Sequence, residues 1–149
     1  MARELSQAED AVVARVERDL LDTMDAAPGC VGLAAPQIGE EVRMVAVDCS
    51  EHPKAAGAHN GVLVLVNPVI VESSGAEVGR EGCLSIPHLT ANVRRATRIV
   101  VEAARGIRVK STGFEARCLQ HEVDHLDGVL FLDRVDSLAR DVFRRKTYR

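Results

Sequence analysis

The apolar positions near the start of the chain recur with the period of an amphipathic helix. Four side chains share one helical face: Val13, Val16, Leu20 and Met24. Ser6 and Glu9 have the spacing of a capping box, and Pro28-Gly29 ends the pattern. The sequence therefore predicts a first helix that packs one face on a core.

Short runs rich in β-branched residues follow and predict strands. They cover residues 42–47, 62–66, 68–72 and 98–103. Residues 51–61 are expected to form an exposed loop in which His52 and His59 are solvated. The order of elements, a helix, several strands and then a second helix, indicates an α+β fold.

The second helical stripe includes two histidines. It consists of Phe114, Cys118, His121 and His125. Thr112 and Glu115 have the spacing of a second capping box, and Gly128 is placed to end the helix. Glu115 and Arg117 do not lie on the stripe. The histidines thus continue an apolar, inward face, where a buried imidazole pair beside a carboxylate is costly unless a metal compensates.

Residues 121–125 read His-Glu-Val-Asp-His. Positions four apart share a helical face, so His121 and His125 can bind one divalent metal. Glu122 lies at the flank of that face, where its carboxylate can take a proton from a water that the metal activates. The pattern indicates a hydrolase. A surface helix with two solvated histidines would conflict with the apolar stripe.

Two histidines leave a catalytic metal one protein ligand short. Three aspartates follow the helix, Asp127, Asp133 and Asp136, and they are expected to be solvated or capping. The missing ligand is therefore expected upstream. None of the four cysteines forms a C-x-x-C pair. Cys49 is expected at a strand end and Cys118 in the core. Cys83 differs from these two structural cysteines in its surroundings. A glycine precedes it, which permits close approach of the backbone, and Pro87 is expected to end any strand there. A thiolate at Cys83 would complete a Cys-His-His site.

Composition narrows the possible functions. A chain of 149 residues is expected to form a single domain, and a net charge of −3 gives no electrostatic case for nucleic acid. No apolar stretch suggests a signal sequence or a membrane span. The protein is therefore expected in the cytoplasm with reduced thiols.

Three segments resemble the peptide deformylase family: Gly32-Leu-Ala-Ala-Pro-Gln-Ile-Gly39, Glu81-Gly-Cys-Leu-Ser85 and Gln120-His-Glu-Val-Asp-His-Leu126. The resemblance runs from about residue 19 to about residue 135. It implies mixed and antiparallel sheets wrapped around a central metal-binding helix. It also implies hydrolysis of the N-formyl group from the initiator methionine of nascent bacterial polypeptides, with release of formate.

The resemblance also implies roles for individual residues. Cys83, His121 and His125 are similar to the family's metal ligands, with ferrous iron as the usual ion and zinc, nickel or cobalt as substitutes. Glu122 is similar to the general base. Gln37 and the backbone N–H of Leu84 match the groups that stabilise the oxyanion.

Methionine selectivity requires an apolar pocket near the metal. Gly32 matches a glycine whose backbone meets the substrate. Val31, Phe114 and Cys118 are the candidates for the pocket, although each is equally compatible with ordinary core.

The tail from Arg140 to Arg149 carries five cations in ten residues. Such a tail can favour binding to the ribosome surface, although we expect it simply to be solvated. Deletion of the tail without loss of co-sedimentation with ribosomes would dispose of that suggestion.

Several positions depart from the family pattern. Cys30 stands where the family has glycine, and Thr90 stands where it often has arginine, for which Arg94 or Arg95 can compensate. The N-terminal segment and the hairpin around residues 104–110 are short. These departures are compatible with a low-activity paralogue. The sequence is also compatible with a deacylase or peptidase for another small amide, or with a structural zinc module that adds Cys118 as fourth ligand.

Overall fold

The computed structural model describes residues 1–145. Helix α1 (Asp10–Ala26) buries the predicted stripe of Val16, Leu20 and Met24 against the first sheet. The helix begins later than the capping box predicts, with Glu9 at the N-cap position. The Glu9 carboxylate accepts the Ser6 N–H at 2.8 Å, which is one of the two hydrogen bonds of the predicted capping box.

Nine strands form three antiparallel sheets of three strands each in the described part of the chain. The strands are β1 (Gly32–Ala34), β2 (Met44–Asp48), β3 (Val62–Val66), β4 (Val69–Ser74), β5 (Glu77–Cys83), β6 (Ile86–Arg95), β7 (Arg98–Ala103), β8 (Ile107–Thr112) and β9 (Val142–Arg144). Their orders are β1-β2-β3, β4-β7-β8 and β5-β6-β9. Strands β1 and β5 are therefore edge strands.

Helix α2 (Gly113–Leu126) lies at the centre of the fold. Ala116, Leu119 and Leu126 are fully buried and pack in one core cluster with residues of the first two sheets. Gly128 ends the helical segment with a φ of 76°, as the sequence predicts. The α+β arrangement around this helix confirms the predicted fold class.

The predicted capping box of α2 is wrong. Thr112 occupies the N-cap position, but its side chain makes no capping hydrogen bond. Glu115 is buried, and its carboxylate accepts from Asn60 N and Nδ2, both at 2.6 Å, and from Ser111 Oγ at 2.7 Å. Glu115 therefore anchors the loop before β3 instead of the helix start.

Strand β6 contains Pro87, although a proline at this position is expected to end a strand. Cys83 pairs with Ile86 and Gly82 pairs with Thr90, so residues 87–89 of β6 form a bulge without partners in β5. A proline is tolerated there because no hydrogen bond of this ladder needs its missing N–H.

The C-terminal segment forms regular structure as far as the structure describes it, while Arg140, Arg144 and Arg145 stay exposed, as expected of a solvated tail. Helix α3 (Leu138–Asp141) leads into β9, which pairs with residues 89–91 of β6. The last four residues of the basic tail, 146–149, lie outside the described residues. No helix within residues 1–145 has both the length and the apolar character to cross a bilayer.

Candidate metal centre

The three predicted metal ligands lie together. Cys83 ends β5, and His121 and His125 stand one turn apart on α2. Their donor atoms all lie within 4.8 Å of one another, and Cys83 Sγ is 3.2 Å from His125 Nε2. This group of one thiol and two imidazoles can bind a metal ion.

The charges of the group favour a thiolate. Burial raises the pKa of Cys83, but hydrogen bonds from His121 and His125 outweigh it and lower the pKa to about 5. Burial lowers the pKa of His121, while its bonds to Cys83 and Glu81 raise that pKa to about 10. A deprotonated thiol is the form that binds a metal.

Glu81 is a functional residue that the sequence reasoning missed. Its Oε1 lies 2.8 Å from His121 Nδ1, and its carboxylate also pairs with Arg95 at 2.9 Å and Arg117 at 2.7 Å. Burial raises its pKa, but the bonds from His121 and Arg95 lower it to about 2. A carboxylate on Nδ1 leaves the Nε2 of His121 free for a metal and fixes the ring orientation.

Glu122 is buried beside the three donor atoms. Its Oε1 has no hydrogen-bond partner in residues 1–145, and burial raises its pKa to about 7. A Cβ built on Gly32 would lie 2.7 Å from Glu122 Oε2, so only glycine fits there without displacement. A buried carboxylate oxygen without a partner, next to a Cys-His-His group, fits a site that holds a metal and a reacting water.

Gln37 is fixed in a 3₁₀ turn (Ala35–Ile38) that follows β1. Its Oε1 accepts the Ala34 N–H at 2.9 Å, so its amide nitrogen faces the site. Nε2 donates to Cys83 Sγ at 3.3 Å and to Ser85 Oγ at 3.0 Å. The side chain therefore does more than bond the backbone, and it places an uncharged donor beside the thiol.

A cavity of about 260 Å³ opens onto this centre. Leu84 lines it together with the four residues predicted to bind the substrate, which are Val31, Gly32, Phe114 and Cys118. His52 also lines it and stacks on Phe114 with a centroid distance of 4.2 Å. As expected, it is not one of the metal-donor residues, but its ring is only partly solvated. The stacking brings the loop before β3 against the apolar end of α2.

The other cysteines do not join the donor group. A hydrogen bond with Cys49 and burial raise the pKa of Cys118 far above its usual range, which keeps the thiol protonated. A closed zinc module with Cys118 as fourth ligand is therefore not favoured. Cys30 Sγ donates to the Gly32 carbonyl at 3.3 Å, at the wall of the cavity.

Neither arginine expected to compensate for Thr90 lines the cavity, so that prediction is wrong. Arg94 is exposed and lies 3.6 Å from Asp136. Arg95 is buried between Glu81 and Asp124. Successive side chains of β6 point to opposite faces of the sheet, so Arg94 points outward and Arg95 points toward α2. The arginines that do line the cavity come from other segments.

Comparison with known proteins identifies the family. The sequence profile described as polypeptide deformylase matches residues 1–141. The peptide deformylase of Dictyoglomus thermophilum is 46% identical over 129 residues, which span 84% of this chain and 78% of the relative. The solved structure of the Legionella pneumophila peptide deformylase has a TM-score of 0.78 at 37% identity, covering 93% of this chain and 80% of that one. The class I type b enzyme of Acinetobacter baumannii, solved with Met-Ala-Ser bound, has a TM-score of 0.77 at 34% identity, covering 90% and 89%. This chain belongs to the polypeptide deformylase family of metal-dependent hydrolases.

Proposed function

We propose that the protein removes the N-formyl group from the initiator methionine of nascent polypeptides in the bacterial cytoplasm, as a single catalytic domain. The observation that carries the proposal is the unpartnered, buried carboxylate of Glu122 beside the donor atoms of Cys83, His121 and His125. The family to which the chain belongs supplies the reaction class.

Cys83, His121 and His125 would hold a divalent metal, with ferrous iron as the native ion and zinc, nickel or cobalt as substitutes. Thiolate and imidazole suit both iron and zinc. When bound, such an ion supplies a Lewis acid and lowers the pKa of water to about 7. Glu81 would hold the His121 ring in the orientation that this requires.

Glu122 would act as general base and then as general acid. A pKa near 7, raised by burial, lets one carboxylate accept a proton from water and return it to the leaving amine at neutral pH. Gln37 Nε2 and the backbone N–H of Leu84 would stabilise the negative charge on the formyl oxygen. One such donor is worth about 3 kcal/mol in related reactions.

The cleft suits a peptide in extended conformation. Edge strand β1 lines the cleft with Gly32, and edge strand β5 lines it with residues 80–83. A peptide between them would be held through its backbone, which tolerates many sequences. Val31, Phe114 and Cys118 would receive the methionine side chain. The Acinetobacter relative, solved with Met-Ala-Ser bound, supports a peptide in this cleft.

The test is amine release from formyl-Met-Ala-Ser by protein purified without oxygen and loaded with Fe²⁺. Glu122→Gln keeps the shape of the side chain but removes the base, so we expect a loss in kcat of roughly 100-fold to 10,000-fold. The metal content of the variant serves as its control. Equal turnover by the variant would contradict the proposal, and faster cleavage of acetyl-Met-Ala-Ser would favour a deacylase.

A further inference from the structure

Two arginines at the rim of the cavity lack an anionic partner. Arg80 donates only to neutral oxygens, Asn92 Oδ1 at 3.2 Å and Thr90 Oγ1 at 3.3 Å. Arg145 also lines the cavity. Within residues 1–145, no carboxylate oxygen lies within 4.0 Å of a side-chain nitrogen of Arg80 or Arg145. The rim therefore carries two positive charges that nothing in the described chain neutralises.

Strand pairing fixes the backbone of Arg145. Its N–H donates to the carbonyl of His88 at 2.9 Å, which continues the β6–β9 ladder by one residue. Strand β9 then places Phe143 opposite Thr90. The Arg80 guanidinium carbon lies 3.9 Å from the centroid of the Phe143 ring, so the C-terminal strand holds both cations.

Because residue 82 is a glycine, the charged group of Arg145 can lie against the backbone at the wall of the cleft. A Cβ built on Gly82 would overlap Nη2 of Arg145, so the guanidinium lies directly on the backbone of β5, one residue before Cys83. A side chain at position 82 would displace it. The free charge thus stands at the edge strand along which an extended peptide would run.

We propose that Arg145 and Arg80 form a subsite for a carboxylate side chain of the substrate, in the second or third residue of the formylated peptide. This inference rests on the proposed function. The subsite would make the enzyme prefer acidic nascent chains over their neutral isosteres. It would also give the C-terminal strand a part in substrate selection.

The test compares formyl-Met-Asp-Ala and formyl-Met-Ala-Asp with the matching asparagine peptides, all with amidated C-termini so that the side chain supplies the only carboxylate. We expect kcat/KM to be about threefold to fivefold higher for the better aspartate peptide at low ionic strength, and the ratio to shrink as salt rises. Arg145→Gln should bring the ratio close to one. Arg144→Gln, on the same strand and outside the cavity, should leave it unchanged.

Binding provides a second readout that does not need turnover. Glu122→Gln protein, titrated calorimetrically with Met-Ala-Asp-amide and Met-Ala-Asn-amide, should show the same preference, and adding Arg80→Gln should weaken it. A preference in binding without turnover of any formyl peptide would overturn the proposed reaction and keep the subsite. Equal binding and equal turnover of the two peptides, or a ratio that survives in folded Arg145→Gln protein, would overturn the subsite.

Discussion

Gly32 and Glu122 share a space that leaves no room for one more carbon. A Cβ on residue 32 would lie 2.7 Å from Oε2 and 3.1 Å from Cγ of Glu122. In Gly32→Ala, the carboxylate must move away from the donor atoms, so we expect at least a tenfold loss of kcat and about 1–3 kcal/mol of lost stability. Kinetics with formyl-Met-Ala-Ser and urea unfolding measure the two effects.

A double-mutant cycle separates this clash from other effects of the extra methyl group. In a Glu122→Ala background, the alanine at position 32 has nothing to displace. Its cost in unfolding free energy should then fall below about 0.5 kcal/mol. An equal cost in both backgrounds would show that the strain lies in the backbone of β1.

Single residues of the site were predictable from the sequence where a local motif indicates their chemical role. His121 and His125 are four positions apart on one helix, and Cys83 and Gln37 stand in segments with a recognisable pattern. Glu81 and His52 were not predictable, because their roles come from contacts with residues far along the chain. Glu81 and His121, for example, are 40 positions apart. A carboxylate or an imidazole gives no local sign of such a partner.

At the level of secondary-structure elements, Arg95 links strand β6 to helix α2 through buried ion pairs. Its guanidinium pairs with Glu81 at 2.9 Å and with Asp124 on the helix, and both of those carboxylates are buried. Arg95→Met leaves two buried carboxylates short of a partner, so we expect a loss of about 3–5 kcal/mol in unfolding free energy.

Arg94→Met is the matched control, because Arg94 is the exposed neighbour on the same strand with one pair at 3.6 Å to Asp136. Its loss should stay below about 1 kcal/mol. Urea unfolding of both variants with the same metal loading gives the comparison. Similar losses in the two would mean that Arg95 does not hold the elements together.

Elements with a plain hydrophobic pattern were predicted with their observed bounds, as β3 and β7 show. Strands β5 and β6 were not predicted, since β5 contains Gly79, Gly82 and three charged positions, and β6 contains a proline. These strands form through pairing with each other and not through local preference. Strand β9 was hidden for the same reason, because its residues read as a basic tail.

For the whole molecule, Glu81 couples the free energy of unfolding to pH. Its folded-state pKa of about 2 lies below the ordinary value of 4.5, so the unfolded chain binds this proton more tightly. The stability it contributes is present above pH 4.5 and is lost as the pH falls toward 2. Urea unfolding of metal-free protein should show about 2 kcal/mol of this loss between pH 6 and pH 3. Glu81→Gln protein should be less stable at pH 6 and show a flatter acid profile; an unchanged profile would contradict this origin.

The donor atoms of the centre come from distant parts of the chain, since Cys83 and His125 are 42 positions apart. An ion that joins them would close a loop of that length and so act as a cross-link, much as a disulfide constrains the unfolded chain. It would fasten the third sheet to α2, and its binding free energy would add to that of folding. Oxidation of Cys83 or removal of the ion would then shorten the lifetime of the folded protein as well as stop its turnover.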